Sequence, residues 1–453
     1  MAQAQPQPQP VAVINVVGLN RSLLAHAPRL AALGPAVGLQ PSLPAVTCTV
    51  QADMLTGQAA ANHGIVANGW YDRDAAEVRF WARSGRLIQS PPLWHVARQR
   101  DASVTCANLF WRYAAYGGAD HAVIERPIYR ADGRKLPDCY ANRPELRQML
   151  HDRLGPFPLF NFWGPFADIR SSRWIAQATR LVHQAHRPTL TLTYLPHLDY
   201  PLQKLGPDHP DIPAHVRLID HVAADLVDYF RQQGVRPIVV SEYGIEPVDT
   251  VIRINRVLRR AGLLAIRVEC GGELLDFGEC DAFAVADHQV AHVYLHPRLR
   301  QATDRRAEVE QLCRDLPGVA AVHAIDHPRA GDLVLEAGQG AWFTYDYWLD
   351  DAQAPDFART IDIHRKPGYD PRELFCDAGR LKLMRKMLAK RLGLRQVFDI
   401  VPLDPTRVRG SHGRTQLPAD LQPIALGLDP APADPPMHST AIHQQILNAM
   451  FGE

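Results

Sequence analysis

Between residues 189 and 241 the sequence fixes a strand, a helix and a second strand in succession. Residues 189–195 (TLTLTYL) are β-branched and apolar. In 213–234, Val216, Ile219, Val222, Ala223, Leu226, Val227 and Phe230 recur at three- and four-residue steps, which places them on one helix face. Gly234 stops that pattern, and 235–241 (VRPIVVS) reads as the next strand. A crossover of this kind joins parallel strands. The run VAVINVV at 11–17, ended by Gly18, reads as a strand buried on both faces. The expected fold class is therefore α/β, with a central, mostly parallel sheet and helices on both faces.

Past Gly244 the texture changes. A basic amphipathic helix is expected over 250–262, followed by short strand-like pieces at 263–268, 282–286 and 290–294, a helix at 305–316 and a strand at 319–323. These suggest a small α+β insertion. The expected organisation is a disordered Gln/Pro tail over 1–10, the first part of the core over 11–249, the insertion over 250–335, and core completion over 336–453. The last part holds an aromatic cluster from Trp342 to Trp348, expected in the core, a basic helix over 380–392 and a terminal helix near 439–450.

Composition excludes several classes. The 453 residues carry 49 Lys+Arg against 48 Asp+Glu, so no bulk field favours a nucleic-acid polymer or an anionic membrane as partner. No apolar run reaches the roughly 20 residues a membrane helix needs. Seven scattered cysteines, with no CxxC pair, fit reduced thiols and a cytoplasmic location. The sequence leaves the oligomeric state open.

Residues able to carry chemistry follow the expected strands, at 15–19, 44–57, 194–207 and 241–245, where open α/β sheets form their sites. A further loop, 409–414 (RGSHGR), sets His412 beside two glycines that leave its ring free to reach a ligand.

Together these segments resemble the alkaline phosphatase superfamily, and most closely its nucleotide pyrophosphatase/phosphodiesterase branch. The stretch 44–57 (PAVTCTVQADMLTG) leads into 62–72 (NHGIVANGWYD), which is similar to the family's HGI-N-Y signature. The segment 194–207 (YLPHLDYPLQKLGP), Glu242-Tyr243-Gly244 and Ser411-His412-Gly413 resemble its metal-binding loops in the same order. The resemblance implies Thr47 as nucleophile and Asp199, Glu242, His412, Thr47 and Asn15 as metal ligands. Gln203, Tyr243, His197 and His364 are additional candidates.

It also implies a divalent cofactor, zinc in one or two ions, which lowers the pKa of the Thr hydroxyl for attack on phosphorus. The expected activity is metal-dependent hydrolysis of a phosphodiester or related phosphoester in a small phosphorylated substrate. The alternative is a catalytically degenerate member that binds a phosphorylated metabolite or a partner protein. The departures motivate that alternative. The family's first metal Asp falls on Val17, a His falls on Gln203, the Asp-His pair falls on Glu242-Tyr243, and the phosphate-binding Asn falls on Val50. The set has thereby lost negative charge that holds two divalent ions.

Overall fold

A computed structural model describes residues 7–429 and 436–452. Its two main sheets use thirteen strands. In chain order they are β1 (Val11–Val16), β2 (Val37–Gln40), β3 (Cys106–Leu109), β4 (His121–Glu125), β5 (Cys139–Ala141), β6 (Leu190–Leu195) and β7 (Arg236–Val240). Then come β8 (Ala282–Asp287), β9 (Val290–Leu295), β10 (Val319–His323), β11 (Leu333–Ala337), β12 (Ile424–Leu426) and β13 (Met437–His438). The helices that matter are α1 (Thr47–Thr56), α2 (Ile169–His186), α3 (Asp199–Leu205), α4 (Ile212–Gln232), α5 (Ile254–Arg260), α6 (Thr303–Arg314), α7 (Arg380–Arg391) and α8 (Ala441–Phe451).

The nine-stranded central sheet runs β13-β2-β12-β7-β1-β6-β3-β4-β5. Its middle, β7-β1-β6-β3-β4, is parallel throughout, and antiparallel pairs occur toward the edges. All six residues of β1 are buried because helices cover both faces, which explains its unbroken apolar run. On α4, Val216, Ile219, Ala223, Leu226, Val227 and Phe230 are buried, as their spacing requires. Truncating one such side chain to Ala costs about 2–5 kcal/mol.

The four-stranded sheet β8-β9-β11-β10 is antiparallel and has its own apolar cluster. Its helix α6 was expected; the long helix over 250–262 was not realised. Thr250–Ile252 is instead a strand paired with Ala341–Phe343, and only α5 remains helical. Ile254, Asn255, Arg256 and Leu258 are buried there, so this segment is not a solvated face. Residues 23–31 form a 3-10 turn at Leu23–His26 and one helical turn at Pro28–Ala31 rather than one helix, because Pro28 disfavours helical backbone at the residue before it. The aromatic residues from Trp342 to Trp348 are buried, as read.

Of the tail expected over 1–10, residues 1–6 lie outside the described residues. Just beyond them, the Gln9 backbone N–H donates to the Met450 carbonyl at 2.7 Å. All seven cysteines are free thiols. No helix among the described residues is long and apolar enough to cross a membrane.

Candidate active site

Because β7, β1, β6 and β3 are parallel, their carboxyl ends open on the same side of the sheet. Asn15 lies near the end of β1, level with Tyr194 and Val240. Glu242 follows β7, Asp199 follows β6 and Arg112 follows β3. Thr47 is the first residue of α1, a helix buried along its whole length and closed by Gly57 in the left-handed conformation.

The signature at 62–72 fixes this helix. The His63 ring lies 2.9 Å from Asp53 Oδ1 through Nε2, and its Nδ1 accepts from the Ile65 N–H, so Nε2–H is the donor to Asp53. Ser439 donates to the other Asp53 oxygen. Asn68 accepts from the Cys48 N–H at 2.9 Å and is itself held by Asp287. These contacts pin the helix start, and Thr47 with it, against the hairpin turn between β8 and β9.

A hydrogen-bonded chain then crosses the cleft floor. Thr47 Oγ1 lies 3.0 Å from the Tyr243 hydroxyl, which donates to Asp199 Oδ1 at 3.2 Å. Gln203 donates to Asp199 Oδ2 at 2.8 Å, and Tyr369 donates to Gln203. Glu242 Oε1 accepts from Asn15 at 2.5 Å and from Gln51. Glu242 Oε2 has no hydrogen-bond partner among the described residues.

Four rings stack beside this chain: Tyr243 on His412 (3.5 Å between centroids), His412 on His288 (3.7 Å) and His288 on Tyr369 (3.6 Å). His412 Nδ1 donates to the Ala45 carbonyl, so Nε2 carries the lone pair, 3.9 Å from Asp199 Oδ1. His288 reaches the column from the β8–β9 turn, where its φ of 59° is the left-handed backbone that tight hairpin turns use.

Burial sets the charges. It pushes Glu242 up to about 8, against the opposing hydrogen bonds from Gln51 and Asn15. It pushes Asp199 up to about 6 and drives His412 and His288 well below the ordinary histidine value, so both imidazoles are neutral.

The cations come from residues that the sequence did not single out. Arg112 is 3% exposed and lines the cleft with Thr47. Its Nη1 pairs with Glu125 at 2.8 Å and its guanidinium lies over the Trp81 ring. Its Nε and Nη2 have no partner among the described residues. Arg83 lies 3.5 Å from the same Glu125 carboxylate, so this wall carries two guanidiniums on one carboxylate. The Arg112 backbone N–H donates to Gln51, which also holds Glu242. Arg112 was hidden in the apolar run LFWRY; its place just past a strand end was the available signal. His288 and Tyr369 were hidden in the segments after Gly244.

The structure thus brings together Thr47, Asn15, Asp199, Gln203, Glu242, Tyr243 and His412. His197 is not among them, since it pairs with His215 at 3.2 Å. His364 lines the outer cleft and bonds the Phe80 carbonyl. The cleft holds about 1590 Å³, and its outer walls include Phe160, Trp163, Met387, Leu394 and Phe398.

Among the described residues, no three His, Cys, Asp or Glu side chains gather to hold a metal ion. Both Asp199 oxygens and one Glu242 oxygen already accept hydrogen bonds from neutral phenol or amide donors. A pair of divalent ions needs anionic oxygens with free lone pairs, and this donor set does not fit one.

The family profile described as type I phosphodiesterase/nucleotide pyrophosphatase matches residues 11–370, which leaves His412 beyond the matched span. No curated protein matches the chain. Among solved structures, phosphonoacetate hydrolase from Sinorhizobium meliloti 1021, in complex with phosphonoformate, is similar at 15% identity and a TM-score of 0.62. That alignment covers 98% of this chain and 97% of the other. Human ectonucleotide pyrophosphatase/phosphodiesterase 5 is similar at 14% identity and a TM-score of 0.58, over 98% of this chain and 95% of that one. An inactive variant of its murine counterpart, in complex with AMP, gives 16% identity and 0.57, with coverage of 98% and 95%. At these identities the likeness shows a shared fold.

Proposed function

Since the chain belongs to the type I phosphodiesterase/nucleotide pyrophosphatase family, we propose that Thr47 is its nucleophile and that Arg112 supplies charge the family draws from metal ions. Membership makes the chain a hydrolase of the phosphodiester and pyrophosphate class. The bond cleaved is that of a phosphodiester or related phosphoester in a small phosphorylated substrate. One observation carries the reading: the Thr47 cleft is also lined by a buried guanidinium with two donors that lack partners among the described residues. A fork of this kind matches two non-bridging phosphoryl oxygens and stabilises the charge they develop.

Glu242 is the base. Thr47 lies near enough to favour its charged form, and burial poises that carboxyl at about 8. Thr47 Oγ1 gives its proton to Glu242 and attacks phosphorus in line. The bond to the leaving oxygen breaks on the far side of phosphorus, and that oxygen takes a proton from solvent. Water then attacks the phosphoryl-threonine from that side, losing its proton to solvent, while Glu242 returns its proton to Thr47 Oγ1 as the P–O bond to Thr47 breaks. Tyr243 and Gln203 hold Asp199 throughout, which keeps its charge away from the incoming anion.

One contact favours a second reading, a binding module for a phosphorylated metabolite: the Tyr243 phenol occupies the space between Thr47 and Asp199. Release of nitrophenol from bis(4-nitrophenyl) phosphate, with and without chelator, separates the cases. Chelator-resistant turnover that is lost in Thr47→Ala supports the proposal. Chelator-sensitive turnover restores the divalent ion, zinc being the first to assay. Phosphate binding without turnover supports the second reading.

A further inference from the structure

Helix α7 buries none of its residues. Leu381, Met384 and Leu388 on it, and Leu392 just past its end, recur at steps of three, four and four, and are 82%, 67%, 60% and 71% exposed. Residues 381–397 hold half of the exposed large apolar side chains among the described residues. A cluster of this size on a soluble surface marks an interaction site. Residues 380–397 carry seven basic residues, Arg380, Lys382, Arg385, Lys386, Lys390, Arg391 and Arg395, and no acidic one.

Two further features point the same way. Lys382 and Lys386 are tied to Asp399, which braces the helix against the irregular segment that follows it and leaves Arg380 and Arg385 free of that pairing. The opposite side of the helix, through Leu383 and Met387, forms one wall of the cleft, across from Phe160 and Phe166, which are 46% and 50% exposed. The apolar surface therefore continues around the mouth of the cleft.

We infer that α7 and the residues after it dock the protein on an anionic lipid surface, with the leucine stripe entering the headgroup boundary and the flanking cations meeting acidic headgroups. Charge complementarity selects this occupant. A second copy would bring two acid-free cationic stripes together, whereas an anionic bilayer offers both apolar depth and negative charge. Twelve helical residues are too few to cross a bilayer but enough to lie along one. The expectation of no membrane partner rested on the near-zero net charge of the whole chain, an average that conceals a local cationic stripe.

The test is cosedimentation of the full chain with vesicles of phosphatidylcholine alone and of phosphatidylcholine mixed with phosphatidylserine. Binding is expected for the mixed vesicles only, weakening as salt shortens the screening length. Arg380→Glu with Arg385→Glu, and separately Leu381→Asp with Leu388→Asp, should each weaken it by about tenfold or more. All four side chains lie on a helix with no buried residue, so folding is retained, and a thermal melt verifies it. Equal binding to both vesicle types, binding unchanged in either double variant, or no binding at all overturns the inference. So does self-association through the stripe, seen as a concentration-dependent mass that the leucine variant abolishes.

Discussion

The Tyr243 hydroxyl lies 3.0 Å from Thr47 Oγ1, tethering the threonine side chain to a phenol that also donates to a buried carboxylate. Removing the hydroxyl tests whether it restrains Thr47 or reacts with it. Tyr243→Phe is expected to cost about 1–3 kcal/mol of stability, because Asp199 loses a donor. Turnover should stay within a few-fold of wild type. A loss comparable to that of Thr47→Ala would instead make the phenol part of the chemistry.

The pH dependence follows from Glu242. As a base with a carboxyl poised at about 8, it should make kcat/KM rise with pH and level off above that value. Stability moves the other way. The folded state holds this proton more tightly than the unfolded chain, whose value is near 4.5, so the group's contribution falls as pH rises from 4.5 to about 8. Glu242→Gln should therefore gain on wild type across that window, read from denaturant midpoints, while its turnover collapses.

Arg112 answers to two substitutions. Arg112→Lys keeps a cation beside Glu125 but loses the planar fork, and kcat/KM should fall by about 10²–10³ with the fold intact. Arg112→Met leaves Arg83, at 3.5 Å, as the remaining cation on the buried Glu125 carboxylate, and should cost less than the roughly 3–5 kcal/mol of a fully orphaned charge. Inhibition by inorganic phosphate, followed in parallel, should weaken in the lysine variant. Unchanged inhibition there argues against the guanidinium as the anion's partner.

Gly410 leads into the loop that carries His412, and a Cβ there would meet the Leu202 carbonyl oxygen at 2.2 Å. Gly410→Ala should cost about 1–3 kcal/mol or more, since backbone has to move. It should also disturb the His412 stacking on Tyr243. Gly379→Ala is the control for glycine replacement, since nothing lies within 4 Å of its added Cβ and its φ is negative.

The core was legible where a single period sufficed: β1, β6, α4 and β7 each announce themselves by local pattern. The strand at Thr250–Ile252 did not, because its partner at Ala341–Phe343 is far along the chain and Arg256 reads as a surface residue until Asp351 and Trp348 surround it. The same limit applies to the site. Thr47, Asp199, Glu242 and His412 were found through their neighbours in sequence. Arg112 and His288 become meaningful only when a strand end and a distant hairpin share a cleft, and the roles of Tyr243 and Gln203 as donors to Asp199 are visible only in three dimensions.

The column of Tyr243, His412, His288 and Tyr369 has a consequence for synthesis. Its rings come from four separate stretches, and the one made last follows the other three by dozens of residues. A nascent chain released before that loop leaves the ribosome can have the parallel core β7-β1-β6-β3-β4 in place and still lack a finished pocket. Completion of the column therefore waits for His412, and a chain terminated before it lacks the ring that joins Tyr243 to His288.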